Sequence, residues 1–121
     1  MNPQTHPAII TNFITSFGMI AEKVSEIAES KGWTMNDDIN SQATKIALMH
    51  SELSEALEAL RHGNLPSKHI PEFNGMEEEF ADVIIRIMHM AHTLNYRIAE
   101  AIIEKIKFNE QREYKHGGKS I

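Results

Sequence analysis

Apolar side chains recur at intervals of three and four residues through most of this chain, which is the pattern of amphipathic α-helices. The first predicted helix begins near Pro7 and ends at Lys31-Gly32, a basic residue followed by a helix-stopping glycine. The second predicted helix runs from about Ser41 to His62, after a connector rich in the asparagine, aspartate and serine residues that favour helix N-caps.

The third predicted helix spans about Met76 to Leu94, and the fourth spans about Tyr96 to Arg112. The loop GNLPSKHIPEFNG separates the second helix from the third, and its prolines and glycines block regular structure. The apolar residues expected to face the core are Ile46, Met49, Leu53, Leu57 and Leu60 on the second helix and Phe80, Val83, Ile84, Ile87, Ala91 and Leu94 on the third. We therefore expect an all-α fold in which four helices form a bundle-like subunit.

Length and composition narrow the class of protein. A chain of 121 residues is expected to form one domain, residues 1–121, with a flexible tail over about 113–121. Its net charge of −5 argues against a nonspecific nucleic-acid binder. The chain has no cysteine, no long apolar run and no recognisable signal peptide, so we expect no membrane span and a cytoplasmic location.

Two acidic pairs carry the candidate chemistry. Glu52 and Glu55 lie in the second predicted helix, and Glu79 and Asp82 lie in the third. Each pair has i,i+3 spacing, which places two carboxylates side by side on one helix face next to apolar residues. If the two helices pack antiparallel, all four carboxylates meet at one edge of the core. Oxygen ligands of this kind suit Mg²⁺, or Mn²⁺ in its place.

A simpler interpretation of the acidic pairs is that they are solvated carboxylates on the polar faces of amphipathic helices. Arg86 keeps a related alternative open, because its cation lies on the same helix face as Glu79 and Asp82. It would neutralise them as a salt bridge without any metal, hold their orientation, or contact a phosphate.

The two acidic motifs, read in order along the chain, resemble those of the MazG-like all-α nucleoside triphosphate pyrophosphatases. This superfamily includes the dimeric dUTPases and the dCTP pyrophosphatases. KIALMHSELSEALEALRHGN is similar to the first metal-binding helix of the family, and EEEFADVIIRIMHMA is similar to the second. ESKGW, before the first motif, and KIKFNEQREYKHGGK, near the C-terminus, also fit the family pattern. The resemblance covers roughly residues 20–119.

The resemblance implies Mg²⁺-dependent hydrolysis of a nucleoside triphosphate to the monophosphate and diphosphate, as house-cleaning of the nucleotide pool. It implies that Glu52, Glu55, Glu79 and Asp82 bind the metal, with Glu52 or Glu55 also acting as the general base. It also implies a homodimer or homotetramer, with a site often completed across subunits. The residues that it assigns to phosphate or sugar contacts are Lys105, Asn109 and Arg112, and Lys115 in the tail is a further candidate.

Several alternatives stay open. Trp33, the only tryptophan, either stacks on a nucleobase or plugs the end of the bundle. Phosphoribosyl-ATP pyrophosphohydrolases perform the same cleavage on a biosynthetic substrate. A helical protein without catalytic activity, which binds a partner protein and uses its acids for solubility, is the hypothesis from a different class.

Overall fold

The computed structural model describes residues 6–112, which form four α-helices and no β-strand. The helices are α1 (Pro7–Ser30), α2 (Ile39–Arg61), α3 (Gly75–Leu94) and α4 (Ile98–Glu110). The all-α prediction is confirmed, and the predicted helix ends lie within about two residues of the observed ones. Within the described residues, no helix combines the length and the apolar character needed to cross a membrane.

Local side-chain chemistry explains where α2 and α3 begin and end. The Asp38 carboxylate accepts a hydrogen bond from a backbone N–H in the first turn of α2. Asn74 and Glu77 form a capping box at the start of α3, which satisfies two otherwise unpaired N–H groups. Gly63 (φ 89°) and Asn95 (φ 59°) adopt left-handed conformations just beyond the C-terminal ends of α2 and α3. These residues therefore end α2 sharply before the 62–74 loop and end α3 sharply before the α3–α4 turn.

α3 is the central helix, because both α1 and α2 pack against it, whereas α4 packs mainly against α1. α2 and α3 run antiparallel, as shown by the contact of Ala59 with the start of α3 and the ion pair of Glu52 with Arg86 further along. A Cβ atom at Gly75 would lie 2.9 Å from the Cβ of Ala59, so glycine permits this close approach. A closed four-helix bundle remains a prediction.

The structure corrects the predicted core face of α2. Within residues 6–112, the buried apolar residues are small or flexible ones: Ala21, Ala28, Met35, Ala56, Met90, Ala91 and Ala99. Four large residues of the predicted α2 stripe are instead about half exposed: Ile46, Leu53, Leu57 and Leu60. Phe80 and Ile84 of α3 are similarly exposed. α2 packs on α3 through the neighbouring face that carries Ala56 and Glu52, where a small side chain allows the helices to approach closely.

Candidate metal centre and adjoining cavity

Five acidic side chains meet where α2 and α3 pack together. One carboxylate oxygen from each of Glu52, Glu55 and Glu79 lies within 4.8 Å of the others, and the same holds for Glu78, Glu79 and Asp82. Glu79 belongs to both groups and is therefore central. We call these five residues the acidic cluster. It brings together all four carboxylates predicted from the sequence and adds Glu78.

Glu79 carries the strongest electrostatic signal of the cluster. Its Oε2 atom is buried and has no hydrogen-bond partner within the described residues. Burial, followed by its interactions with the Glu52 and Glu55 carboxyls, raises the pKa of Glu79 from 4.5 to about 8. Burial and the negative charges of Glu52 and Glu78 also raise the pKa of Asp82. A proton or a cation at this position would relieve the repulsion between the carboxylates.

Glu78 is held by the loop between α2 and α3. The Ser67 hydroxyl donates to Glu78 Oε1 at 2.5 Å, and His69 Nδ1 lies 2.6 Å from Oε2. The Ser67 hydrogen bond, followed by that of His69, lowers the pKa of Glu78. Ser67 Oγ also accepts hydrogen bonds from the backbone N–H groups of His69 and Ile70, so one buried hydroxyl organises both the loop and the carboxylate. The only sign of this loop–helix contact in the sequence is the Glu77-Glu78-Glu79 run, which follows a loop that contains a Ser-Lys-His segment.

Arg86 forms an ion pair across the helix pair. Its Nη2 atom donates to Glu52 Oε1 at 3.1 Å, and both side chains are substantially buried. The sequence predicted the cation beside Glu79 and Asp82, and its charge does oppose the rise in the pKa of Asp82. Its direct partner is nevertheless Glu52 on the other helix. Arg86 thus fixes the Glu52 carboxylate and leaves Glu79 unneutralised.

A cavity of about 630 Å³ lies between α1, α2 and α3, next to the acidic cluster. Glu52, Asp82 and Arg86 line it together with the apolar residues Val24, Ile27, Ala28, Met35, Leu48 and Ile85. Trp33 also lines the cavity and is 65% exposed. A mostly apolar cleft with a few charged groups at one wall is the usual form of a small-molecule site. Trp33, which the sequence analysis named as a candidate for stacking on a nucleobase, therefore lies at this cavity.

The remaining predicted contacts are not brought to the site within the described part of the chain. Lys105, Asn109 and Arg112 are exposed on α4 or just beyond it, and none of them lines the cavity or joins the acidic cluster. Lys105 Nζ instead lies 4.5 Å from the centroid of the Phe108 ring. Lys115 lies outside the described residues.

The donor set fits a hard divalent cation. All five groups of the acidic cluster offer carboxylate oxygen, and a cation would supply the partner that the buried Oε2 of Glu79 lacks in the described part of the chain. Comparison of the chain with protein-family models, with curated proteins and with solved structures found no match. The assignment of a function therefore depends on this geometry and on the motif resemblance.

Proposed function

We propose that this chain is a Mg²⁺-dependent nucleoside triphosphate pyrophosphohydrolase, which converts a nucleoside triphosphate into the monophosphate and diphosphate and serves nucleotide-pool house-cleaning in the cytoplasm. The observation that carries the proposal is the acidic cluster beside an apolar cavity, where the buried Oε2 atom of Glu79 has no hydrogen-bond partner among residues 6–112. A plain solvated acidic surface would leave no such buried carboxylate. The arrangement supplies both a metal site and room for an organic ligand.

The acidic cluster would hold Mg²⁺, or Mn²⁺ in its place, which neutralises phosphate charge and makes a bound water more acidic. Either Glu52 or Glu55 would accept the proton of the attacking water. Glu55 is the freer of the two, because Arg86 already engages Glu52. Ser67 and His69 hold Glu78 against the cluster, which limits rearrangement when charge enters the site. These residues would position the reacting groups, and the cation that they hold would neutralise phosphate charge; positioning and neutralisation are the main requirements of phosphoryl chemistry.

The cavity would take the nucleoside portion of the substrate. Its apolar walls exclude water from a flat ring, and the exposed face of Trp33 is available for stacking. Glu52, Asp82 and Arg86 line the same cavity, so a ligand in it would place its phosphates at the acidic cluster. This placement supports a nucleotide over a bare phosphate ester.

The exposed apolar residues of α2 and α3 support a homo-oligomer. Leu53 and Leu57 of α2 and Phe80 and Ile84 of α3 are each about half exposed. By helix geometry, the α2 and α3 stripes project to the same side of this antiparallel pair, so we expect them to form one apolar surface. A second copy with the same surface would bury it against α2 and α3 of the first and complete a four-helix bundle.

The direct experiment is product analysis with purified protein and each of the common nucleoside triphosphates, in Mg²⁺ and in EDTA. Monophosphate and diphosphate formed only with Mg²⁺ are the expected products. Formation of nucleoside diphosphate and orthophosphate would contradict the cleavage position. Absence of turnover with every nucleotide, including phosphoribosyl-ATP, would favour the alternative of a partner-binding helical protein.

Glu52→Gln provides the matched variant for this experiment. It removes one carboxylate charge at nearly constant volume, so we expect turnover to be abolished while the helical fold is retained. Glu26→Gln is the control, because Glu26 is exposed on α1 and outside the acidic cluster. Full activity of Glu52→Gln would refute the proposed site.

A further inference from the structure

The end of the cavity away from the acidic cluster carries two nitrogen groups that the proposed hydrolysis does not use. Lys45 of α2 and His89 of α3 both line this cavity. Lys45 precedes Glu52 by seven residues and His89 follows Asp82 by seven, so each lies on the same helix face about 10 Å from the acidic cluster. Because α2 and α3 are antiparallel, both displacements are in the same direction. Lys45 and His89 therefore share one end of the cavity.

His89 has an unmet hydrogen-bonding requirement. The residue is 7% exposed, and its Nε2 atom is buried without a hydrogen-bond partner in residues 6–112. Burial, followed by the positive charge of Lys45, lowers the pKa of His89, which favours the neutral ring. A neutral imidazole offers one donor and one acceptor. Because His89 lines the cavity, a ligand bound there would lie beside the imidazole.

Lys45 brings a different constraint. Its ammonium group has three donors and no acceptor, and the side chain is half-buried with no ion pair among the described residues. A carbonyl oxygen satisfies such a group, whereas an exocyclic amino group would set donor against donor. Guanine O6 and uracil or thymine O4 are acceptors at positions where adenine and cytosine carry amino groups.

We propose that Lys45 is the base-selecting residue of the cavity, with His89 as a second hydrogen-bonding group beside it, and that this end of the cavity favours bases with an exocyclic carbonyl, guanine and uracil or thymine, over adenine and cytosine. The inference rests on the proposed function for the phosphate end of the ligand. It concerns the opposite end of the cavity, so binding measurements test it without turnover. A separation of two helical turns leaves room for a sugar and a base between the acidic cluster and Lys45.

Trp33 provides the test, because the only tryptophan of the chain lines the same cavity. Quenching of its fluorescence and calorimetric titration should be measured with GMP, UMP, AMP and CMP, together with Mg²⁺. We expect GMP and UMP to bind at least about tenfold more tightly than AMP and CMP, the difference made by one or two buried hydrogen bonds. Equal affinity for the carbonyl and amino nucleotides would overturn the proposal.

Variants assign the effect to the two residues. Lys45→Met keeps an unbranched side chain and should reduce the preference for carbonyl nucleotides to less than about threefold. His89→Phe keeps a ring and should weaken GMP binding about fivefold. Lys23→Met is the control, because Lys23 is exposed on α1 and does not line the cavity. An unchanged preference in folded Lys45→Met would also overturn the proposal.

The two hypotheses fail differently. If the wild-type protein hydrolyses nucleotides but Lys45→Met keeps the wild-type preference, base selection by this end of the cavity is wrong and the proposed function stands. If carbonyl nucleotides bind selectively but no triphosphate is cleaved, the proposed function is wrong and base selection by this end of the cavity stands. Circular dichroism of each variant verifies that the helices are retained.

Discussion

Replacing Glu79 with glutamine should stabilise the metal-free protein at high pH while removing its response to Mg²⁺. The pKa of Glu79 rises from 4.5 to about 8 in the folded chain, because its carboxyl is buried next to Glu52 and Glu55. The folded protein therefore holds this proton more tightly than the unfolded chain does. The resulting stability is fully present below pH 4.5 and is lost as the pH rises through 8. Glutamine cannot ionise and avoids this loss.

The magnitude follows from the width of that pH interval. One pKa unit corresponds to about 1.4 kcal/mol, so the rise to about 8 sets a ceiling near 5 kcal/mol. Partial exposure of Glu79 and sharing of charge within the acidic cluster reduce the expected value to about 2 kcal/mol. For a domain of this size, such a difference is a shift of roughly 8 °C in the melting temperature.

The assay is urea denaturation in EDTA at fixed chain concentration, over pH 5 to 9, because urea does not screen charges as guanidinium salts do. Glu79→Gln and wild type should have similar free energies of unfolding near pH 5, and the variant should become more stable above pH 8. With Mg²⁺ at a hundredfold excess over its Kd, wild type should gain about 2.7 kcal/mol and the variant much less. Glu26→Gln should follow wild type throughout.

Two results would contradict this reasoning. If metal-free Glu79→Gln is no more stable than wild type at pH 9, the buried carboxylate is not under charge repulsion. If the variant gains as much stability from Mg²⁺ as wild type, Glu79 is not a ligand. A gain that NaCl reproduces would instead indicate general screening of the acidic cluster.

Three further predictions concern the loop, the exposed stripe and the helix contact. Ser67→Ala removes the hydroxyl that holds Glu78, so we expect weaker Mg²⁺ binding by a factor of about 5 to 10 in calorimetric titration; unchanged affinity would contradict a role for this loop–helix contact. Leu57→Glu should weaken self-association more than about 100-fold in analytical ultracentrifugation, because each copy loses a buried leucine worth about 1.5–3 kcal/mol; identical sedimentation of variant and wild type would exclude this surface. Gly75→Val should destabilise the chain by about 1–3 kcal/mol, because its side chain would overlap Ala59; thermal denaturation measures the loss, and an unchanged melting temperature would show that the helices can separate freely.

Much of the fold was predictable because the helix boundaries are encoded locally. Pro7 begins α1, and glycine or asparagine in a left-handed conformation ends α2 and α3. The i,i+3 spacing also placed Glu52, Glu55, Glu79 and Asp82 on faces that meet once the helices are antiparallel. These features depend on neighbouring residues in the sequence, which a single chain displays directly.

The contacts that the sequence did not predict are those between segments that are distant in the chain. The periodicity identified the large apolar stripe of α2 correctly. The prediction that this stripe faces the core was wrong. Burial of Ala56 together with Glu52 leaves Leu53 and Leu57 facing outward. A hydrophobic pattern shows which face avoids water, and it does not distinguish a neighbouring helix from another subunit. The hydrogen bond from Ser67 to Glu78 was likewise invisible, because it depends on how the loop folds back.

The acidic cluster and its supports all lie between the start of α2 and the end of α3, residues 39–94. Ser67, His69 and Arg86 are within the same continuous segment, while α4 contributes nothing to it in the described chain. Genetic insertions at the α3–α4 turn, residues 95–97, would therefore leave this centre intact. Insertions near Ser67 would disconnect Glu78 at once. We expect natural length variation to be tolerated at the first position and selected against at the second.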